Sequence, residues 1–260
     1  MLFKRKMENT INKEKNIGFI VEDKPKSIEA ESYRTLRTNI QYSSFDKKIR
    51  IIAVTSAEAM EGKSTVAGNL AISFAQNEES VILLDCDLRK PSLHKKFGIS
   101  NLIGLSEVLI GDVSLEDAVQ FRNNNLDILT SGKVPPNPSE MLSSSAMSVL
   151  LEKLKESYDV IILDSAPILA VTDPQILSVK ADGTVLVVRA EKTKRECVIE
   201  ATNLLKKVDA NIIGVILNRI EGNRGKYYSY YGSDLNKKER SYKKRKKRNL
   251  NDRHTFSHNT

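Results

Sequence analysis

The chain has 260 residues, of which 40% are apolar and 28% charged, values that predict a packed core in one α/β domain with tails or in two small domains. No apolar run reaches the roughly 18 residues that a membrane helix needs. The polar start lacks the apolar segment of a secretory signal, and two isolated cysteines exclude a disulfide framework, so we expect a cytoplasmic protein.

The net charge of +8 is concentrated in one short segment near the end of the chain. Residues 237–248 contain nine basic residues and one acidic residue, so the rest of the chain is close to neutral. The basic composition therefore describes a tail, and it does not predict a nucleic-acid-binding face on the folded part. We expect no specific nucleic acid partner.

In chain order, the sequence begins with a polar, charged stretch over residues 1–28, which we interpret as an N-terminal arm. Residues 29–43 contain no Gly or Pro and predict a helix. Short apolar, β-branched runs then alternate with helical patterns; the runs lie at 51–55, 81–85, 126–130, 160–164, 184–188 and 212–217. This alternation predicts an α/β fold with one doubly wound, mostly parallel sheet flanked by helices.

The end of the folded part is marked by a loss of the apolar pattern after Asn218. We therefore place the domain over residues 29–221 and interpret residues 222–260 as a flexible tail.

The segment IIAVTSAEAMEGKST, residues 51–65, combines a buried strand, a loop and a helix start, which is the context of a phosphate-binding P-loop. Gly62 lets the backbone approach a phosphate, and amide groups at the helix start donate hydrogen bonds to phosphate oxygens. Lys63 is placed to reach the β- and γ-phosphates, and the hydroxyl of Ser64 to bind Mg²⁺. The sequence therefore predicts a site for a nucleotide with its magnesium ion.

Two positions of this loop depart from the common pattern. The first glycine of G-x-x-x-x-G-K-[ST] would fall on Ala57, and Met60 stands where related loops usually have glycine. A methionine that needs a positive φ is strained. We therefore expect the departure to weaken nucleotide binding.

Three aspartates follow two of the predicted strands. Asp85 and Asp87 end the run VILLDCD, and Asp164 ends the run VIILD. Ligands of an open parallel sheet bind at the carboxyl ends of its strands, so we expect all three carboxylates near Lys63 and the phosphates. A lone aspartate at a strand end is more often a helix cap, but three of them beside a P-loop favour a magnesium site.

The predicted first helix carries Glu31, Arg34 and Arg37, spaced three residues apart and therefore along one face. By itself this spacing is explained by an internal ladder of ion pairs, each worth roughly a few tenths of a kcal/mol.

Five of the eight tyrosines lie after the last predicted strand, and four of these fall within five residues, namely Tyr227, Tyr228, Tyr230 and Tyr231. Aromatic residues are scarce in disordered segments, so the cluster needs an explanation. A packed strand is one alternative, and a surface that stacks single-stranded nucleic acid is another. The basic run at 243–248 is typical of a segment that binds an anionic membrane surface, but it suits a solvated tail equally well.

These motifs together resemble those of the bacterial tyrosine kinases, the cytoplasmic kinase subunits of capsule and exopolysaccharide systems in Gram-positive bacteria. The resemblance covers about Lys24 to Tyr231. The first motif matches at Thr55-Ser56 and Glu61-Gly62-Lys63-Ser64-Thr65, with Ala59-Met60 in place of Pro-Gly; the second is complete as Asp85, Asp87 and Arg89; the third is Asp164-Ser165-Ala166-Pro167, with one proline lost. This family shares the deviant P-loop fold of the septum-positioning and partition ATPases, so that fold is implied.

The resemblance implies a role for each motif residue. Nucleotide binding falls to Glu61, Gly62, Lys63, Ser64, Thr65 and, at the adenine, Asn218; magnesium binding falls to Ser64, Asp87 and Asp164; the catalytic set is Lys63, Asp85, Asp87 and Asp164. Within that set Asp85 is implied to accept the proton of the substrate hydroxyl, and Arg89 to pair with the acids. The implied cofactors are ATP and Mg²⁺, and the implied reaction is phosphoryl transfer to tyrosine.

The tail and the first helix also acquire roles through the resemblance. Autophosphorylation is implied at Tyr227, Tyr228, Tyr230 and Tyr231, and packing against a neighbouring subunit in a ring at Glu31, Arg34 and Arg37. The implied partners are further copies of the chain, the cytoplasmic tail of a membrane-embedded polysaccharide co-polymerase that activates the kinase, and a cognate tyrosine phosphatase. Such a chain is expected to be cytoplasmic and to lie at the inner face of the plasma membrane through its partner.

The alternative is a positioning or partition ATPase, which hydrolyses ATP without phosphorylating protein. Such ATPases lack a tyrosine cluster, and they carry a lysine five residues before the P-loop lysine, where this chain has Glu58. Both differences favour the kinase. A non-catalytic scaffold is a third class, which the pair Ala59-Met60 leaves open.

Overall fold

The computed structural model describes residues 18–44, 48–123 and 125–220. A compact unit ends at Arg219, and Ile220 begins a second one. Most of the predicted arm and all but the first residue of that second unit, with the tyrosine cluster and the basic run, lie outside the described residues. The domain boundaries stay predictions.

One seven-stranded sheet forms the centre of the described unit, in the order β3-β4-β2-β5-β1-β6-β7. The strands are β1 (Ile51–Ser56), β2 (Val81–Asp85), β3 (Gln120–Asn123), β4 (Leu126–Leu129), β5 (Val160–Pro167), β6 (Gly183–Arg189) and β7 (Ile212–Asn218). All neighbours pair in parallel except β3 and β4, which are antiparallel. The predicted doubly wound, mostly parallel sheet is therefore confirmed.

Helices connect the strands and cover the sheet. They are α1 (Ile20–Asp23), α2 (Ile28–Gln41), α3 (Lys63–Ala75), α4 (Leu93–Phe97), α5 (Leu105–Ile110), α6 (Leu115–Ala118), α7 (Pro138–Ser143), α8 (Ser145–Ser157), α9 (Asp173–Lys180) and α10 (Arg195–Lys206). None of these described helices combines the length and the apolar character that a membrane-spanning helix requires.

The core lies on both faces of the central strands, because every residue of β1 and β2 is buried. On one face, Leu70 and Phe74 of α3 pack with Ile52, Val54 and other strand residues. On the other face, Leu105 of α5 and side chains of α7, α8 and α9 pack with strand residues such as Ile82. Each fully buried Leu, Ile or Phe contributes about 1.5–3 kcal/mol to the stability of the fold. The two clusters therefore hold the sheet firmly between its helices, and this fixes the positions of the strand ends.

The structure corrects the interpretation of residues 1–28 as an arm where its last part is described. Phe19 and Val21 are buried, at 3% and 0% exposure, and Val21 donates its amide hydrogen to Asn69 Oδ1 of α3 at 3.1 Å. The ring of Phe19 occupies the space that a side chain at Gly68 would fill. Two apolar residues among charges are too short a signal for a helix, but α3 offers them a complementary surface.

Candidate active site

The predicted P-loop connects β1 to α3 at the carboxyl-terminal edge of the sheet. Gly62 caps α3 with a left-handed φ of 97°, and Asn218 at the end of β7 donates its Nδ2 hydrogen to the carbonyl oxygen of Glu61 at 2.9 Å. A Cβ atom at Gly62 would lie 2.3 Å from Asn218 Nδ2. Both the backbone conformation and this close approach therefore require glycine.

The side chain of Glu61 stabilises the loop from within. It is 3% exposed, its Oε2 accepts the amide hydrogen of Glu58 at 2.9 Å, and its Oε1 accepts the hydroxyl hydrogen of Thr193. The structure thus uses Glu61 and Asn218 to hold the loop in shape. Contacts of these two residues with a nucleotide remain predictions.

Lys63 brings the loop and the strand ends together, as the sequence predicts. Its Nζ lies 2.8 Å from Asp87 Oδ2 and 3.9 Å from Asp164 Oδ1, with all three side chains largely buried. Burial alone would lower the pKa of Lys63, but the charges of Asp164 and Asp87 outweigh it and raise that pKa. Lys63 is therefore a firmly charged ammonium group at the centre of the site.

Asp164 is fully buried, and neither of its carboxylate oxygens has a hydrogen-bond partner among the described atoms. Burial raises its pKa, while the charge of Lys63 acts in the opposite direction. A buried carboxylate that has an ion-pair partner but no hydrogen-bond partner suits a hard cation, and Asp87 and the hydroxyl of Ser64 lie in the same site. Among the described residues, no three His, Cys, Asp or Glu side chains are grouped as a metal site. Mg²⁺ is usually bound by one or two carboxylates together with waters and phosphate oxygens.

Asp85 is completely buried at the end of β2. Its Oδ2 accepts amide hydrogens from Ser92 at 3.0 Å and Leu93 at 2.9 Å, so it fixes the start of α4, while its Oδ1 has no hydrogen-bond partner among the described atoms. Burial, followed by the charge of Asp164, raises the pKa of Asp85 to about 7, although the two amide bonds lower it. Such a carboxyl group exchanges a proton near neutral pH.

Arg89 does not pair with the three acids, contrary to the prediction. Its Nε and Nη2 donate to the two oxygens of Asp173 at 2.8 and 3.1 Å, and Nη2 also donates to Ser139 Oγ at 2.8 Å. Asp173 is the fully buried first residue of α9, and Ser139 lies in α7. The arginine therefore joins the loop after β2 to two helices. Sequence reasoning missed Asp173, whose only signal was the Asp-Pro pair at a helix start.

Glu31, Arg34 and Arg37 lie on α2, but they make different contacts. Glu31 Oε2 pairs with Arg34 Nη1 at 2.6 Å, and Arg34 also donates to the carbonyl oxygen of Pro25. Arg37 Nη1 donates to the carbonyl oxygen of Ser73 in α3 at 2.6 Å. Arg37 thus holds α2 against the P-loop helix, while Glu31 and Arg34 remain on the exposed side. Their predicted role in a ring stays a prediction.

A second lysine, which sequence reasoning also missed, reaches the P-loop from α4. Lys96 Nζ donates to Thr65 Oγ1 at 3.0 Å. No spacing rule connects a lysine on a separate short helix with the P-loop.

This arrangement of a strand, a P-loop, a helix and two neighbouring strands that carry aspartates defines a P-loop nucleotide-binding protein. The AAA domain family model matches residues 49–216. Tyrosine-protein kinase YwqD of Bacillus subtilis is 46% identical over 213 residues, which are 82% of this chain and 90% of that protein. The kinase domain of Escherichia coli tyrosine kinase Etk superposes with a TM-score of 0.74 at 33% identity, over 82% of this chain and 86% of that one.

A crystal structure of the chimerical protein CapA2B2 superposes with a TM-score of 0.76 at 36% identity, over 78% of this chain and 90% of that one. The chain belongs to the bacterial tyrosine kinase family. The predictions of the P-loop fold, of this family and of a protein-tyrosine kinase are therefore confirmed.

The departure of the loop from the family pattern is visible in its backbone. Met60 has a φ of 66°, as the pattern predicts, and its side chain is 77% exposed. A left-handed conformation costs a non-glycine residue about 1–2 kcal/mol, so other loop conformations compete with this one. The sequence Pro-Gly favours a turn whose third residue has positive φ.

We expect the double substitution Ala59→Pro and Met60→Gly to strengthen ATP binding severalfold, up to about tenfold, because the free loop is then held in one conformation. Isothermal titration calorimetry measures the affinity. Met60→Ala is the matched control, since it removes the exposed side chain and keeps the positive φ at a non-glycine residue. Unchanged or weaker binding by the double variant would show that the native loop is not compromised.

Proposed function

We propose that this chain transfers the γ-phosphoryl group of ATP to tyrosine hydroxyls, and that it modifies Tyr227, Tyr228, Tyr230 and Tyr231 of its own tail to regulate capsular or exopolysaccharide synthesis. The observation that carries the proposal is the convergence of Lys63 on Asp87 and Asp164 beside a P-loop, at the carboxyl edge of the sheet. In this proposal ATP lies on the loop with its phosphates at the start of α3.

The roles of the binding residues follow from their chemistry. Amide groups of Gly62, Lys63, Ser64 and Thr65 face the phosphates at the helix N-terminus. When ATP binds, the ammonium group of Lys63 shifts part of its hydrogen bonding from Asp87 to the phosphate oxygens. There it neutralises charge on the transferred group. Ser64, Asp87 and Asp164 would hold Mg²⁺, which when bound neutralises negative charge on the phosphates.

Asp85 is the proposed acceptor of the proton from the tyrosine hydroxyl. One of its oxygens is fixed by the amides of Ser92 and Leu93, and the other has no hydrogen-bond partner among the described residues. A pKa raised to about 7 suits a general base at neutral pH, because both protonation states are then accessible. The orientation of the carboxylate is set before the substrate arrives.

The tail of one subunit is proposed to reach the active site of another subunit in a ring. Glu31, which is exposed, and Arg34, which is partly exposed, are the members of the α2 motif that would contact the neighbour, and Arg37 ties the helix to α3. We also propose activation by the cytoplasmic tail of a membrane-embedded polysaccharide co-polymerase, which would hold the kinase at the inner face of the plasma membrane. A cognate tyrosine phosphatase would reverse the modification.

The test is incubation of the full chain with Mg²⁺ and ATP, with and without a peptide from a candidate activator, followed by phosphotyrosine detection. We expect strong labelling of the unaltered chain and loss of nearly all label when Tyr227, Tyr228, Tyr230 and Tyr231 are changed to Phe. Tyr42→Phe is the matched control, because Tyr42 is 75% exposed but lies outside the cluster.

Two results would contradict the proposal in different ways. Release of ADP and inorganic phosphate without phosphotyrosine, with the activator present, would favour the positioning ATPase. Labelling of the four-Phe variant to the level of the Tyr42→Phe control would remove the tail from the proposal and leave the kinase activity in place.

A further inference from the structure

The phosphate-binding loop supplies only one cation of its own. Lys63 is that cation, and the position five residues before it is Glu58. Lys63 is also shared, because it contacts both Asp87 and Asp164. A nucleotide brings several negative charges to this edge of the sheet, so further positive charge close to the loop would stabilise its binding.

Lys96 provides such a charge from the other side of the loop. Its Nζ donates to Thr65 Oγ1 at 3.0 Å, two residues beyond Lys63 on α3. Among the described residues Lys96 forms no salt bridge, whereas Lys63 does so with Asp87. The ammonium group of Lys96 thus contacts a phosphate-loop hydroxyl and retains hydrogen-bonding capacity for another acceptor.

The position of Lys96 is fixed by the anchoring of α4 at both ends. Asp85 accepts the amide hydrogens of Ser92 and Leu93 at the start of the helix. At its end, the ring of Phe97 packs against the ring of Phe19 with centroids 4.3 Å apart. Leu93 and Phe97 are both buried, so the helix presents Lys96 to the loop with little freedom to move away.

The electrostatic surroundings of Lys96 favour an anion. The group is about half buried, and burial lowers its pKa; Asp164 acts in the opposite direction, while Lys63 and Arg219 lower it further. Lys63 and Arg219 are therefore close enough to Lys96 to repel its charge. An anion bound among them would relieve their mutual repulsion.

We propose that Lys96 is a second cation of the nucleotide site and binds the phosphate groups that ATP and ADP have in common. This assignment rests on the proposed nucleotide site. It places Lys96 on the side of the bound phosphates that faces Thr65, because Lys63 is the residue that serves the β- and γ-phosphates. Lys96 then contributes to retention of both the substrate nucleotide and the product nucleotide.

The test measures binding of ADP and of ATP, each with Mg²⁺, by calorimetry. We expect Lys96→Met to weaken both nucleotides about tenfold, as for loss of a hydrogen bond to a charged group, and Lys96→Arg to retain most of the affinity. Lys95→Met is the matched control, because it makes the same charge change on an exposed residue of the same helix and should leave both affinities within about twofold.

Thermal unfolding without nucleotide separates binding from a merely structural role, and we expect Lys96→Met and Lys95→Met to unfold at similar temperatures. Nucleotide affinities of Lys96→Met equal to those of Lys95→Met would overturn the inference. Loss of ATP binding alone would also overturn it, because Lys96 would then act on the γ-phosphate. If the unaltered chain bound neither nucleotide, the proposed function itself would fail.

Discussion

Changing Lys63 to methionine is expected to reduce tyrosine phosphorylation by on the order of a thousandfold, the largest effect of any single substitution in this chain. Lys63 is the only group that contacts both Asp87 and Asp164 in the described structure, and it is the proposed partner of the transferred phosphate. Methionine keeps much of the length and apolar character of the side chain, but it leaves the developing charge unneutralised. Phosphotyrosine detection after incubation with Mg²⁺ and ATP measures the loss.

The matched control is Lys207→Met, which makes the same change at an exposed lysine directly after α10. We expect that variant to label at the normal rate. Thermal unfolding of both variants is needed as well, because removal of Lys63 leaves Asp87 and Asp164 without their cation and removes the charge that lowers the pKa of Asp164. Autophosphorylation of Lys63→Met at the rate of the control would end the assignment of the site.

Asp85→Asn is expected to reduce activity by about a hundredfold or more while leaving the fold intact. Asparagine retains an oxygen that can accept the amide hydrogens of Ser92 and Leu93, so the start of α4 stays fixed. It cannot accept the proton of a tyrosine hydroxyl. The unaltered chain should show kcat/KM rising with pH toward and through about 7, because only ionised Asp85 acts as a base.

The same substitution should also change how the stability of the protein depends on pH, because it removes a buried group that titrates. The folded pKa of Asp85 is about 7, above the ordinary aspartate pKa of 3.8, so the folded state binds more protons between these values. The contribution of Asp85 to stability therefore falls as pH rises from about 4 to 7, and Asp85→Asn should lack this contribution.

Melting temperatures across this pH range measure the difference between the two proteins, which should grow as the pH is raised. Asp85→Ala is the informative companion, because it removes the acceptor for both amides as well as the base. It should be less stable than Asp85→Asn at pH 7. Near-normal turnover by Asp85→Asn would take Asp85 out of the catalytic set.

The sequence predicted those parts of the molecule in which one chemical property repeats over several neighbouring residues. The six apolar runs all became strands, because a parallel sheet covered on both faces buries every residue of its central strands. The edge strand β3, with the sequence QFRN, was missed, because an antiparallel edge strand with polar residues carries no such run. Likewise Phe19 and Val21 gave too little apolar pattern to predict α1.

Within the site, the residues that belong to linear motifs were predicted, and those brought together only by folding were not. Lys63 opens a helix, Asp87 follows β2, and Asp164 lies within β5 beside Asp85 at the end of β2, so the sheet topology places all three at one edge. The pairing of Arg89 with Asp173 joins residues 84 positions apart, so the neighbouring acids were the obvious but wrong choice. The contact of Lys96 with Thr65 depends on how a five-residue helix is anchored, which no local pattern encodes.

The packing of Phe19 into the groove above Gly68 sets a practical limit on where the chain can be shortened. A version that starts at residue 29, the predicted domain boundary, would lose the ring of Phe19, which covers α3 at Gly68 and also packs against Phe97. It would expose the P-loop helix to water at Gly68 and loosen the helix that carries Lys96. Gene designs for biochemical work on this kinase should therefore begin ahead of Gly18, even though the motifs themselves begin much later.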